Sequence, residues 1–323
     1  MTNTAKEVAK RAGVSPATVS RVFNNQSLVS QAIRQRVMQA AQQLDYAPRS
    51  ANRHHIIALL IPDSQRHPYN GYIWSCTSAL VDQIVTQGFS VQIIPTNVIH
   101  LLDQPNITGI ISLVYDEEDW QDWPNDRHLP LVNINAQTPH IPNSVTVASD
   151  SVQGMQLAIK HLVDRGHKRI GMFTKGVSDT YCANYRQQAF KDVGIELGLS
   201  PSDLIIQHAI TKSDHYEAIG KLVRHEVTAI ICPGEDSGVI AAYILNLFNC
   251  LIPTNMSLIS QEIQQMSEYY LPQHTTLKQD FTGMANQAIN CLEQMIQNEK
   301  PSQEVLVPYT LIERQTVRDL RVI

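Results

Sequence analysis

The residues with the most pointed chemistry stand near the start of the chain, in the run Val8-Ala9-Lys10-Arg11-Ala12-Gly13-Val14-Ser15-Pro16-Ala17-Thr18-Val19-Ser20-Arg21-Val22-Phe23-Asn24-Asn25. Gly13 divides it, because glycine tolerates the positive φ of a sharp turn. Ser15 as N-cap and Pro16 at the first helical position start a second short helix. Val19, Val22 and Phe23 recur at helical spacing and must face inward, so Pro16, Ala17, Ser20 and Arg21 point out. A short helix presenting small residues and one arginine is shaped to enter the major groove of DNA. Arg21 could bridge guanine O6 and N7, whereas Pro16 and Ala17 offer only apolar contact, as with a thymine methyl. Helix pairs also occur as plain packing in larger domains, and the turn alone leaves both readings open.

Two further helices must position this one. Thr4 and Glu7 stand in the spacing of a capping box, ahead of Ala5, Val8, Ala9 and Ala12 on one inward face. After the polar turn Asn24-Asn25-Gln26-Ser27, Val29 and Ser30 start a third helix. It carries Ile33, Val37, Met38, Ala41 and Leu44 on one stripe and ends near Asp45-Tyr46. Three small helices around one core make a compact head over residues 1–48, with 49–55 as a short linker.

Charge separates this head from the rest. Residues 1–55 hold eight basic side chains (Lys6, Lys10, Arg11, Arg21, Arg34, Arg36, Arg49, Arg53) against two acidic ones, Glu7 and Asp45. The remaining chain is acidic, with 17 basic residues against 28. A basic head on an acidic body suits a polyanion-binding module whose body is held off the polyanion.

From Ile56 on, β-branched apolar runs alternate with helical patterns, the signature of an α/β fold with parallel sheets. Strands are predicted at 56–61, 90–95, 109–114, 129–134, 169–173, 204–207, 228–232 and 257–259. Helices are predicted at 69–87, 152–165, 185–197, 215–225, 237–248 and 281–298. Two sets of such units suggest two doubly wound subdomains, apportioned as 56–162 with 281–308, and 163–280 with 309–323. No GxGxxG follows a strand, so dinucleotide binding has no support.

The run from Glu7 to Pro48, with VAKRAGVS, ATVSRVFN and LDYAP, resembles the lactose-repressor/galactose-repressor (LacI/GalR) family of transcriptional regulators. The resemblance implies that Pro16, Ala17 and Arg21 read bases while Ser15, Thr18 and Asn24 lie near phosphates. Thr4, Ser20 and Arg53 complete the expected DNA-facing set. It extends more loosely into the body and implies a fold of the periplasmic-binding-protein type I kind, with a small effector between two subdomains. Asp150-Ser151-Val152-Gln153-Gly154 resembles the family's Asp-Asn-x-x-Gly, and Thr275-Thr276-Leu277-Lys278-Gln279 its Thr-Thr-Ile-x-Gln. Arg186 resembles the effector-binding arginine. Asp63 with Pro68-Tyr69 resembles Pro-Asp…Asn-Pro-Phe. Gly234-Glu235 replaces a common Asn-Asp, and Ser260-Gln261-Glu262 a common Gly-Phe/Tyr-Asp. The expected effector set is therefore Asp63, Tyr69, Asp150, Arg186, Glu235, Glu262 and Gln279. Carboxylates, an arginine and an amide are groups that chelate sugar hydroxyls. Asp150 could equally cap a helix, and Glu262 could be a surface residue.

The junction departs most from the family. Arg53 can take the family's Arg position, but His55 stands where a minor-groove Leu is usual, so no apolar wedge is expected there. The connection from Pro95 to Gly109 is also too short for the family's second helix.

At 43% hydrophobic and 17% charged, the 323 residues are not predominantly disordered. No apolar run approaches a membrane span, and no signal peptide is apparent, so a cytoplasmic, nucleoid-associated location is expected. The five scattered cysteines lack metal or disulfide spacing and read as reduced thiols. His161 and His167 read as structural. No carboxylate pair or Ser/His/Asp order makes an enzyme site, and neither cofactor nor metal is expected. The expectation is a homodimeric repressor that binds a pseudo-palindromic operator under control of a sugar-like effector, without a coiled-coil tail. A non-specific or architectural DNA binder with a vestigial ligand site, and a sugar-binding protein, are the rival readings.

Overall fold

The computed structural model describes residues 4–23, 29–44, 46, 56–64, 71–115, 123, 129–137, 141–176, 181–234, 236–262 and 266–322. The chain divides into two units, Met1–Ile56 and Ile57–Ile323.

In the first unit, α1 (Ala5–Ala12), α2 (Pro16–Phe23) and α3 (Gln31–Gln43) follow the sequence signals closely. The Glu7 carboxylate accepts from the Thr4 N–H at 2.6 Å and the Thr4 hydroxyl at 3.0 Å, which closes the first turn of α1. Those bonds hold Glu7 below the usual carboxylate range. Gly13 ends α1 at φ 65°, ψ 40°, and its N–H returns to the Ala9 carbonyl. Nothing lies within 4 Å of where a Cβ would stand, so glycine is needed there for its φ and not for space. Ser15 Oγ accepts from the Thr18 N–H at 3.1 Å, the expected cap of α2. Val8, Ala9, Ala12, Val19, Val22, Val37, Ala40 and Ala41 form the core, with Val29, Ile33 and Leu44 packed on it. Met38 is the exception to the predicted stripe. It is 51% exposed, and Ala40 takes the inward position that the helix rotation gives it.

The second unit holds two six-stranded sheets. The first has the order β11-β5-β4-β3-β1-β2, the second β12-β10-β9-β8-β6-β7. Their strands are β1 (Ile56–Ile61), β2 (Ser90–Pro95), β3 (Ile107–Ser112), β4 (Leu131–Ile134), β5 (Ser144–Ser149), β6 (Ile170–Lys175), β7 (Leu204–Ala209), β8 (Ala229–Cys232), β9 (Ser257–Gln261), β10 (Thr275–Lys278), β11 (Glu304–Val307) and β12 (Thr310–Ile312). Central strands such as β3 and β8 are buried on both faces, which explains their unbroken apolar runs. The helices are α4 (Gly71–Thr86), α5 (Ser151–Val163), α6 (Tyr181–Glu196), α7 (Lys212–Arg224), α8 (Ser237–Leu247) and α9 (Phe281–Ile296). A 3-10 segment, Thr96–Asp103, stands between β2 and β3, as the short connection required.

The chain passes between the sheets three times: at Asp150 after β5, at Gln279-Asp280 after β10, and at Pro308-Tyr309 between β11 and β12. Helix α9 packs on the first sheet through Met284, Ala285, Ala288 and Leu292. Met155, Ala158, Ile159 and Leu162 of α5 share a core with Ile170, Phe190 and Tyr309 of the second. The expected apportionment, which kept residues to 162 with the first sheet, is corrected here: the crossing comes at Asp150, because the apolar face of α5 is complementary to α6. Gly154 makes that packing possible, since a Cβ there would stand 2.8 Å from the Tyr309 ring.

Candidate functional site

Ser15, Pro16, Ala17 and Arg21 lie exposed on one side of α2, opposite the buried Val19 and Val22. Thr4 is exposed, while Thr18 is half-buried with its hydroxyl 2.9 Å from Ser15 Oγ. Asn24, Arg53 and the Ser20 side chain lie outside the described residues. Arg11 Nε donates to Gln43 Oε1 at 3.0 Å, fixing α1 against the end of α3 and so the seat of α2. Arg21 is thereby presented on the exposed side of α2.

In the second unit, the carboxyl ends of the two sheets face each other where the chain crosses. Gln279, just after β10, donates from Nε2 to Ser149 Oγ at the end of β5, 2.7 Å away. Gln261, at the end of β9, donates from Nε2 to Gln279 Oε1 at 3.3 Å. Ser149 N–H in turn donates to Asn135 Oδ1 at 2.8 Å, and Asn135 Nδ2 to the Tyr72 hydroxyl at 2.8 Å. A second string runs beside it. Arg186 Nη2 reaches the Tyr309 hydroxyl at 3.4 Å, and Gln153 pairs with the Tyr309 backbone through both amide atoms. Asp150 Oδ1 accepts from the Gln153 N–H at 3.0 Å, so Asp150 does cap α5 while standing at the crossing. Asp150, Arg186 and Gln279 are thus gathered around one interlobe region. Asp63 follows β1, with its N–H on Thr96 Oγ1 at 3.0 Å. Tyr69 and Glu235 lie outside the described residues.

Glu262 is an interior residue and not a surface one. Its Oε2 accepts from Arg314 Nη1 at 2.9 Å and from the Thr276 hydroxyl, and both charged side chains are less than a tenth exposed. Burial alone would raise its pKa, but hydrogen bonds from Thr276, Arg314 and Ser267 outweigh it and hold the carboxyl below its ordinary value. One oxygen, Oε2, is committed to an interior ion pair, while Oε1 is buried and has no partner among the described residues.

Two groups escaped the sequence reading. Gln261 precedes Glu262 and is 6% exposed. Lys175 ends β6 and pairs with Asp236 at 2.7 Å. β6 and β8 flank the point where strand order reverses, the usual ligand position in such sheets. A polar residue closing a buried strand is what marks both. His167, read as structural, donates from Nε2 to the Arg318 carbonyl at 3.0 Å and faces the Thr228 hydroxyl through Nδ1 at 2.8 Å. A polar groove beside Gln287, Asn290 and Gln294 lies at the opposite, amino end of the first sheet. Among the described residues, no group of three or more His, Cys, Asp or Glu could hold a metal, and no helix is long and apolar enough to cross a membrane.

Comparison with known proteins bears on both units. Residues 4–49 match the model described as bacterial regulatory proteins, lacI family, and residues 159–317 a periplasmic binding protein-like domain. The chain belongs to the LacI/GalR family. It is 27% identical to the HTH-type transcriptional repressor PurR of Pasteurella multocida, with 94% of this chain and 95% of that protein aligned. The lac repressor dimer bound to operator and the anti-inducer ONPF superposes with a TM-score of 0.72 at 20% identity, covering 98% of this chain and all of that one. The transcriptional regulator CelR–cellobiose complex gives 0.68 at 20%, covering 97% and 99%. As a LacI/GalR regulator, the chain is a DNA-binding transcription factor with a ligand-controlled body. Within that family frame its departures become specific: a glutamine and a buried glutamate at 261 and 262, and glycine at 234.

Proposed function

We propose that this regulator is a homodimeric repressor whose operator affinity is set by a sugar or sugar derivative held between the two sheets. The observation that carries the reading is the gathering of Asp150, Arg186 and Gln279 where the carboxyl ends of β5 and β10 meet. Carboxylate, guanidinium and amide together offer the donors and acceptors that vicinal hydroxyls need. The solved relative CelR, in complex with cellobiose, supports a saccharide over other small molecules. Asp63, Tyr69 and Glu235 are further proposed effector contacts, Ser15, Thr18 and Asn24 proposed phosphate contacts, and Thr4, Ser20 and Arg53 further DNA contacts. Two exposed apolar faces support self-association. One holds Trp74 and Val85 of α4 with Ile93 of edge strand β2, the other Tyr243 and Leu247 of α8 with Leu251. A dimer is the known state of the lac repressor in its operator complex, and two heads read a pseudo-palindrome.

The test is to select operator fragments from random duplex DNA with the full-length protein, then screen mono- and disaccharides for one that changes affinity for them. The reading predicts a two-fold symmetric consensus and at least one saccharide that shifts affinity tenfold or more. Arg186→Ala should abolish that response while ligand-free binding persists. A selected pool without symmetry would favour the architectural reading instead.

A further inference from the structure

Gln261 belongs to the first string at the interlobe crossing and has an unmet hydrogen-bonding atom. Its Nε2 is used on Gln279, while Oε1 is shut off from solvent and has no partner. The residue is 94% buried, given its 6% exposure. The amide cannot simply turn over to relieve this. Gln279 Nε2 is engaged by Ser149, so Gln279 presents an oxygen to Gln261, and only the Gln261 nitrogen can answer it. Reversal would require Ser149 to donate its hydroxyl to Gln279, giving up its present contact with Met284 Sδ at 3.3 Å.

We infer that Gln261 is an effector-contacting residue, which accepts a hydroxyl donor from the saccharide, and that the chain Gln261–Gln279–Ser149 is the connection through which that contact joins the two sheets. The inference rests on the sugar reading above and adds to it a residue that reads one particular hydroxyl. The physical argument is linkage. A buried carbonyl without a donor makes the ligand-free joined arrangement costly, and two events relieve it: the sheets part and water reaches Oε1, or a ligand donates to it in place. A sugar with a hydroxyl at that position therefore favours the joined arrangement, in which Gln279 of one sheet still holds Ser149 of the other. A sugar without it has no such preference.

The experiment uses the full-length protein, D-ribose, D-glucose, D-galactose and cellobiose as first probes, and thermal shift followed by calorimetry. For the saccharide that binds, each monodeoxy derivative is measured on the wild type, on Gln261→Leu and on Gln261→Glu. One derivative should bind the wild type roughly tenfold more weakly than the parent sugar, the loss expected for one buried hydrogen bond. On Gln261→Leu the parent and that derivative should bind equally, because the acceptor has gone. Gln261→Glu, which keeps an acceptor, should still distinguish them. If every monodeoxy derivative shows the same discrimination on Gln261→Leu as on the wild type, Gln261 does not touch the ligand and the inference is overturned. If no saccharide binds the wild type at all, the sugar reading itself has failed and the inference falls with it. A fold defect in Gln261→Leu is recognised by its ligand-free melting temperature, and Gln261→Glu then decides.

Discussion

Arg314 and Glu262 form an interior ion pair, Nη1 to Oε2 at 2.9 Å, in which the arginine also donates to the His274 carbonyl at 2.7 Å and to Thr276 Oγ1 at 3.0 Å. One guanidinium therefore fastens the segment after β12 to β10 and to the end of β9. With both partners buried, removing one leaves the other charged and uncompensated. Arg314→Leu should destabilise the second unit by about 3–5 kcal/mol, and Glu262→Gln by less, since the amide keeps an acceptor for Thr276. Urea unfolding of each variant checks this. A loss below about 1 kcal/mol for Arg314→Leu would show the pair to be dispensable.

The same region sets a pH dependence. Burial, reinforced by Arg314, pushes His274 down from its ordinary value of 6.5 to about 4. Burial also lowers His161 and His167. A histidine depressed in the folded state is neutral there but protonated in the unfolded chain below its ordinary pKa. Its contribution is complete above about pH 6.5 and is lost as pH falls toward 4. Unfolding free energy should drop across that window, with His274 accounting for roughly 2 kcal/mol once partial solvent screening is allowed for. His274→Gln should flatten the slope. An unchanged slope would place the titration elsewhere.

Close packing of α5 on Tyr309 gives a third test. Gly154→Ala puts a methyl 2.8 Å from the ring that Arg186 reaches with its guanidinium. Overpacking of this kind costs about 1–3 kcal/mol. Because the ring must shift, saccharide response should weaken along with the melting temperature, whereas operator selection in the absence of ligand should not change its consensus.

Helices were legible in the sequence because their signals are local. Thr4 with Glu7, Ser15 with Pro16, and Asp150 ahead of α5 each announce a start within four residues. Strands β1, β6 and β8 declared themselves as largely apolar runs because both faces are buried. β5, β10, β11 and β12 did not. They are short or mixed in polarity, and what makes β11 a strand is its pairing with β5 far back in the chain, Val305 on Val147. Glu262 and Gln261 illustrate the same limit in the site. Type and position suggested the carboxylate for a ligand, but its partner Arg314 stands 52 residues on, in a segment no local pattern connects to it. Asp150, Arg186 and Gln279 were found through family resemblance. Their hydrogen-bonded strings through Tyr309 and Ser149 depend on where the chain crosses between the sheets.

The most direct test of the account is the affinity of wild type and Arg21→Ala for a selected operator fragment and for a scrambled fragment of equal length, at one fixed salt concentration. Arg21 stands exposed on α2, between a capped start and a buried stripe that leave it facing outward. The account predicts that Arg21→Ala loses about 1–3 kcal/mol on the operator and much less on the scrambled fragment, so the ratio between the two collapses. Equal loss on both fragments would contradict it, showing that Arg21 touches phosphate only and that this helix does not read the sequence.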